Sequence, residues 1–580
     1  MDAVSAVTDV SRATVSPRTE RMLELVDRGF PLFWLLLYLL LPVSGWAGVM
    51  FDTWFDQGRD LQALSSVLAD GRADAIADNL IGPGYIAAAA ALHWVLGLEA
   101  RDALVALNRA SYALSIACTL VLVRVLVRRF GSAPPLASVA AQLVLLGLVF
   151  AAGTWHWSDV PWSHFFAAFL AVALYVVRFA PTRPTVATAA LTGVVLALLA
   201  LTRSFELLAL VLAWAIALAL LALLRLSGPR RVRLDHLASG AAAFAATTVA
   251  VYAATGKRDF FFLYGNHLDH QSGNVQASEI AETPTFSPLF VPVKLVQLFY
   301  EPCFYSLCRL TDYAGGATAL PAELGEAGNY RLWSQPLAIQ LPSLVLLPLC
   351  AIAVAAIVVW AARNRTAAAP RAREIRLLAE ATIAATGIVI GYAANTMTGS
   401  NHLRYGFARD FLLPALLSGL VAAGLLGVGL WLLLARIGPV RILPTSVRLS
   451  TESVLVLVAF LVSAVLVTGA AGARSEGLPR LESRSLGKVL YTATCARSTC
   501  GVELSAETVS GRPISISERS TLTFGCGSDV PRFTRYVEEP SAGVRMPATC
   551  RDPRLVAAWP TVMGLPPGSF ELGFVRVVNA

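Results

Sequence analysis

Four aspartates crowd into one short stretch of this chain: Asp52, Asp56, Asp60 and Asp70. A carboxylate that takes the proton of a hydroxyl turns a poor nucleophile into a usable one near neutral pH. Residues 56–71 read as an amphipathic helix with Leu61, Leu64 and Leu68 on one face and Asp56 at its start. An aspartate there also suits a helix cap that accepts backbone N–H bonds, so two readings of Asp56 stand at this point. Asp159 lies in Trp155-His156-Trp157-Ser158-Asp159, with His156 and His164 on either side of it. His267, Asp269 and His270 form a second group offering nitrogen and oxygen ligands to a metal. Both groups have ordinary explanations: Asp159 can hydrogen-bond within a turn before Pro161, and two histidines three apart are commonplace in loops. Among the cations, Arg404 and Arg409 sit where arginines anchor a helix at an interface, and Arg203 stands one helical turn before Glu206, a natural partner.

These residues sit on or beside eleven apolar segments: 32–49, 107–127, 136–153, 162–177, 186–201, 207–224, 237–254, 338–362, 377–394, 411–434 and 454–472. A hydrocarbon layer about 30 Å thick demands about 17 to 25 such residues per helix, fewer for a tilted or interface-anchored one. Arginine gathers at alternate ends of them. Short cytoplasmic loops retain positive charge during insertion, so the N-terminus is expected in the cytoplasm. That choice puts inside Arg12 to Arg28, Arg124 to Arg129, Arg178 and Arg183, Arg225 to Arg233, Arg363 to Arg376 and Arg436 to Arg448. With an odd number of spans the C-terminus lies outside. The apolar stretch 85–98 is then a helix at the outer interface, because counting it as a span would export Arg128 and Arg129.

The predicted fold is an all-α polytopic membrane protein with a small β-rich extracytoplasmic C-terminal domain. Its parts are a cytoplasmic segment 1–30, a membrane domain 31–472 with large external loops 44–106 and 255–336, and the tail 473–580. Composition agrees: of 580 residues 56% are hydrophobic and only 14% charged, which excludes a soluble globular protein. The net charge of +8 is dispersed over loops rather than forming one stripe, so nucleic acid is not an expected partner. The first residues lack the apolar core of a cleavable signal, making the first span an uncleaved anchor. Eight cysteines divide by side: Cys118 and Cys350 fall within spans, while Cys303, Cys308, Cys495, Cys500, Cys526 and Cys550 fall outside. An even external set in an oxidising compartment favours disulfides, Cys303 with Cys308 and two bridges among the tail four. The tail cysteines lack the paired spacing of a zinc knuckle. Short alternating runs at 502–504, 514–516, 521–524 and 570–577 read as its strands. No P-loop, dinucleotide-binding glycine signature or internal repeat is present.

The order of elements resembles the GT-C glycosyltransferases, particularly the protein O-mannosyltransferases and lipid A aminoarabinose transferases. The residues that carry the likeness are Asp56 opening the first external helix and Asp70-Gly71 ending it, then Gly82-Pro83-Gly84-Tyr85 and Asn108-Arg109. Arg128-Arg129-Phe130-Gly131, Asp159, Thr202-Arg203, and Arg404-Tyr405 before a span containing Pro414 complete the series. Gln57 stands where many relatives have Glu, so the acidic partner that would help hold a metal is not present there. The resemblance covers the membrane portion only; the tail has no counterpart.

What the resemblance implies is an inverting transfer of a sugar from a polyprenyl-phosphate carrier to a hydroxyl of a polysaccharide, glycolipid or protein on the outer face of the plasma membrane. Nucleotide sugars are absent there, which suits a chain without a nucleotide-binding fold. Asp56 would be the general base, with Asp52 the alternative four residues earlier. Arg404 leads the groups that would meet the departing phosphate, with Arg203, Arg409 and Lys294 behind it. Asp159, with His156, would organise the donor or a divalent metal ion, and His267, Asp269 and His270 offer another place for one. A transporter of a lipid-linked sugar is the main rival, and a non-catalytic scaffold whose tail recruits envelope partners is the other. Transporters favour ionisable residues near the bilayer midplane and inverted halves, neither of which is apparent here.

Overall fold

The computed structural model describes residues 17–40, 55–71, 82–151, 162–224, 233–256, 346–395, 412–437, 440–441, 448–449, 453–465, 488–496, 499–507, 520–526, 533–537, 543–546, 550, 552–560 and 575–579. Every apolar segment named above contains a helix. In chain order these are α1 (Pro17–Leu40), α2 (Phe55–Asp70), α3 (Pro83–Leu96), α4 (Ala100–Val125), α5 (Pro135–Ala151), α6 (Trp162–Phe179) and α7 (Val186–Thr202). They continue as α8 (Ser204–Leu223), α9 (Leu234–Thr255), α10 (Leu346–Arg363), α11 (Ala372–Asn395), α12 (Leu412–Ile437) and α13 (Ser453–Val465).

Among the described residues, five helical stretches are long and apolar enough to cross a membrane: Asp102–Phe130, Glu206–Leu223, Leu234–Thr255, Leu346–Arg363 and Leu412–Leu434. Shorter apolar helices accompany them, and Leu191, Leu212, Ile216, Leu349, Ile352, Leu433 and Val465 stand exposed on the bundle. An apolar exterior of that extent is the surface of a multi-pass membrane protein. The structure places α3 differently from a simple surface helix. Its first half, Pro83 to Ala90, is largely buried against α4, α7 and α9, while Trp94, Val95 and Leu96 remain exposed. At 14 residues it is about 21 Å long, too short to cross.

The arginines collect at one end of the bundle. Asp27 of α1 is fully buried and accepts from Arg124 Nε at 2.8 Å and from Gln142 Nε2 at 3.2 Å, which ties α1 to α4 and α5. Glu24, one turn earlier, accepts from Arg28, Arg124 and Arg128. Burial pushes the Glu24 carboxyl up, but the Arg28 bond and the charges of Arg128 and Arg124 outweigh it and hold the group below its ordinary range. Residues from Pro17 on, within the segment expected to be polar and cytoplasmic, are thus already helical, and their carboxylates are paired to arginines of α1 and α4 and the turn after it.

A second knot closes the same end. The last carbonyls of a helix have no partner within it. Arg129 donates to Phe179 O at 2.8 Å and to Ala180 O at 2.5 Å, and Arg373 donates to the carbonyls of Arg178, Pro181 and Thr182, so two guanidiniums finish α6. Arg178 itself bonds the buried Glu380 of α11 at 2.9 Å and lies 4.9 Å from the Trp214 ring centre. Glycines let helices meet elsewhere: Gly193 of α7 packs directly on the Gly240 backbone of α9.

The tail builds two small sheets. Strands β3 (Lys488–Ala496), β4 (Thr499–Glu507), β7 (Val544–Arg545) and β9 (Val575–Asn579) form one, in the order β7-β4-β3-β9; β1 (Val440–Arg441) and β2 (Arg448–Leu449) pair separately. The other sheet is β6 (Phe533–Val537), β5 (Ser520–Cys526) and β8 (Pro553–Pro560), in that order. Tyr491, Val502, Leu522, Phe524 and Leu555 form a small buried set within it, and the Asn579 side chain bonds both the N–H and the carbonyl of Leu555 to join the sheets. Cys495 is bonded to Cys500, its register partner across the β3–β4 hairpin, and Cys526 to Cys550. Closing loops of 5 and 24 residues contributes about 2 and about 3 kcal/mol respectively, a large help to a domain this small. Cys303 and Cys308 lie outside the described residues.

Asp27→Ala is expected to lower stability by about 1–3 kcal/mol, because it leaves the buried Gln142 amide without its acceptor and Arg124 with Glu24 alone of its two carboxylates. Arg28→Ala removes an exposed pair and is expected to change it by less than about 1 kcal/mol. Thermal and denaturant unfolding of the purified chain in detergent measures both, and equal losses would refute the assignment.

Candidate active site

At the end of the bundle opposite the arginine knots, four of the motifs read from the sequence meet: the helix opened by Asp56, Gly82 to Tyr85, Asn108-Arg109 and Thr202-Arg203. Asp56 falls in the first turn of α2, and Asp60, one turn later on the same helical face by position, is fully buried. The expected amphipathic helix forms, but it is not a surface helix: Ala63, Leu64, Ser65, Ser66 and Val67 are buried in succession. Five consecutive buried residues require cover on both sides. α3, α4 and α6 supply one side, and strands β5 and β6 of the tail the other.

Glycine sets the next contact. Gly82 and Gly84 open α3 against the end of α7, where a Cβ on Gly84 would stand 2.8 Å from Thr202 Oγ1 and 2.9 Å from the Leu198 carbonyl oxygen. Tyr85 follows, fully buried, its ring 6.0 Å from that of Phe166 in α6. Burial, and after it the negative charge of Asp60, pushes the Tyr85 phenol up, so it stays a neutral hydrogen-bond donor. Tyr85 Oη, the Asn108 amide of α4 and Thr202 Oγ1 are buried and have no hydrogen-bond partner among the described residues. Buried polar groups of that kind mark a place suited to meeting hydroxyls or phosphate oxygens. Arg109 instead serves structure, donating to the carbonyls of Tyr38 and Leu39 at the end of α1 at 3.2 and 3.3 Å.

Arg203 occupies the single extended residue between α7 and α8. Its Nε donates to Glu206 Oε1 at 2.9 Å and Oε2 at 3.2 Å, the pairing that the three-residue spacing suggests. Its Nη1 meets His164 Nε2. His164 Nδ1 stands 3.7 Å from Glu206 Oε1. Glu206 and His164 are buried, whereas the Arg203 side chain keeps 20% of its surface exposed. The three residues make a charge-balanced support that fixes the guanidinium at the helix joint. The Glu206 partnership is local in sequence, while the one with His164 spans 39 residues and gives no local signal.

The remaining candidates, Asp52, His156, Asp159, His267, Asp269, His270, Lys294, Arg404 and Arg409, lie outside the described residues. Among the described residues no three His, Cys, Asp or Glu side chains gather as a metal-binding group. Comparison with known proteins adds no relative: no family model matches the chain and no curated protein does.

Gly84→Ala is expected to lower stability by about 1–3 kcal/mol, since the Leu198 backbone oxygen cannot yield as a side chain would. Gly387→Ala in α11, where a Cβ meets nothing within 4 Å, should leave stability unchanged or raise it. The thermal midpoints of the two variants beside wild type give the comparison, and a harmless Gly84→Ala would contradict the α3–α7 contact.

Proposed function

We propose that the chain is an inverting glycosyltransferase of GT-C type, moving a sugar from a polyprenyl-phosphate donor to a hydroxyl of a cell-envelope polysaccharide, glycolipid or protein. One observation supports this reading above the others. Asp60, Tyr85, Asn108, Thr202 and the Arg203–Glu206–His164 group gather at one end of the bundle with the helix whose first turn holds Asp56. Of these, Asp56, Tyr85, Asn108, Thr202 and Arg203 come from the motifs that resemble the family. In the proposed topology α1 and α4 to α13 are eleven spans in the plasma membrane, the arginine end faces the cytoplasm, and α2, α3 and the tail lie outside.

The chemistry proceeds in one displacement. Asp56, or Asp52 in its place, takes the proton of the acceptor hydroxyl as that oxygen bonds to the anomeric carbon from the face opposite the carrier. The bond from the anomeric carbon to the phosphate oxygen breaks, its electron pair stays on the phosphate, and the configuration inverts. Arg404, with Arg409, Lys294 and Arg203, receives the charge that grows on the leaving phosphate. Glu206 and His164 hold the Arg203 guanidinium in place, and the buried donors of Tyr85, Asn108 and Thr202 are suited to sugar hydroxyls or phosphate oxygens. Asp159 and His156 organise the donor, and a divalent ion held by them would add positive charge beside the phosphate. The tail, packed on α2, steadies the helix that presents the base.

The test is sugar transfer by the purified full chain, assayed with a panel of synthetic lipid-phosphate sugars. Asp56→Asn is expected to reduce turnover by about 100-fold or more with little change in donor binding. Equal turnover by wild type and Asp56→Asn rejects the base.

A further inference from the structure

The arginine end of the bundle holds a cleft that the transfer reaction does not use. It measures about 520 Å³ and is lined by Glu24 of α1, Arg124 of α4, Arg128 and Arg129 in the π-helical turn after α4, Ser132 and the Ala180 backbone. Three guanidiniums face one carboxylate there, 3 − 1 = +2, and the buried Asp27 behind Arg124 brings the balance to +1. The excess has an address. Arg124 and Arg128 share Glu24 and Asp27, but Arg129 bonds only to the carbonyls of Phe179 and Ala180 among the described residues. Carbonyl dipoles hold a guanidinium without neutralising it. Arg373 and the buried Glu374 both stand close enough for the Arg129 charge to act on them, one of each sign, so the balance stays at +1.

The surroundings of the cleft distinguish one kind of anion from another. Val121 and Val125 of α4 line the cleft as well, each about one turn before one of its arginines, so an apolar stripe leads from the cleft along that helix. A free phosphate has no use for such a stripe. We propose that the cleft binds the phosphodiester head of an anionic phospholipid, with Arg129 as its principal cation and the acyl chains lying along α4 past Val125 and Val121. Basic pockets between the ends of spanning helices suit such heads. A head so bound would complete the charge of the two arginine knots, and so would stabilise the contacts of α1 with α4 and of α4 with α6.

The experiment equilibrates the purified full chain in mixed micelles containing phosphatidylglycerol or phosphatidylcholine and reads retained lipid by native mass spectrometry, with thermal unfolding alongside. Retention of phosphatidylglycerol but not phosphatidylcholine is expected, with a raised unfolding midpoint. Arg129→Gln should abolish the preference, but it also loosens the end of α6, so Ser132→Glu is the second variant. That substitution leaves every clasp in place and adds a negative charge to the lining, and retention should weaken about fivefold. Equal retention of the two lipids, or a Ser132→Glu chain that binds phosphatidylglycerol as wild type does, overturns the proposal. Stabilisation by inorganic phosphate alone, equal to that by phosphatidylglycerol, overturns the lipid assignment and gives the cleft a free phosphate instead.

Discussion

Asp27 is the pivot of this molecule. A carboxylate with no exposed surface is tolerable only when its charge and lone pairs are matched, and Arg124 and Gln142 match them from two other helices. The bond decides which end of α1 lies beside the end of α4, and the run of α4, at about 39 Å, then separates the two ends of the bundle. Arg129 and Arg373 extend the same logic to α6 by completing its terminal carbonyls. Charge is thus spent at one end on architecture, which leaves the other end to differ from it chemically.

The far end is polar in a different manner. Its buried groups are short and mostly neutral donors, brought close by glycines that admit a backbone where a side chain would clash. Arg203 is the exposed exception, and its charge is balanced by Glu206. The tail contributes from outside by covering α2, so a disulfide-braced β-domain and a membrane bundle share one helix as their boundary. The proposed transfer from a membrane-held donor to a polar acceptor needs a site at such a boundary.

Much of this was legible in the chain, for reasons that differ from element to element. Apolar length marked the helices, and alternating arginines grouped Arg124, Arg128, Arg129, Arg178 and Arg373 before their contacts were known. The start of α1 was not legible, because Glu24 and Asp27 look like a solvated leader until their partners, about 100 residues away, are in place. The apolar face of α2 was read correctly at Leu64, but the burial of Ser65 and Ser66 depends on strands that come more than 450 residues later. β4 and β5 were marked by alternation at 502–504 and 521–524; β3 and β8 were missed, though Leu490 to Cys495 alternates too. The Arg203–Glu206 pair follows from spacing, whereas His164 enters only through the packing of α6 on α7.

The most direct measurement of the central claim, that the two ends have separate chemistry and the α2–α3 end receives the donor, is photo-crosslinking with a polyprenyl-phosphate sugar that bears a diazirine beside the phosphate. Mapping the labelled peptides by mass spectrometry is predicted to place the label on α2, α3 and the α7–α8 joint. Label confined to the arginine end, around Arg124 to Ser132, would contradict the account.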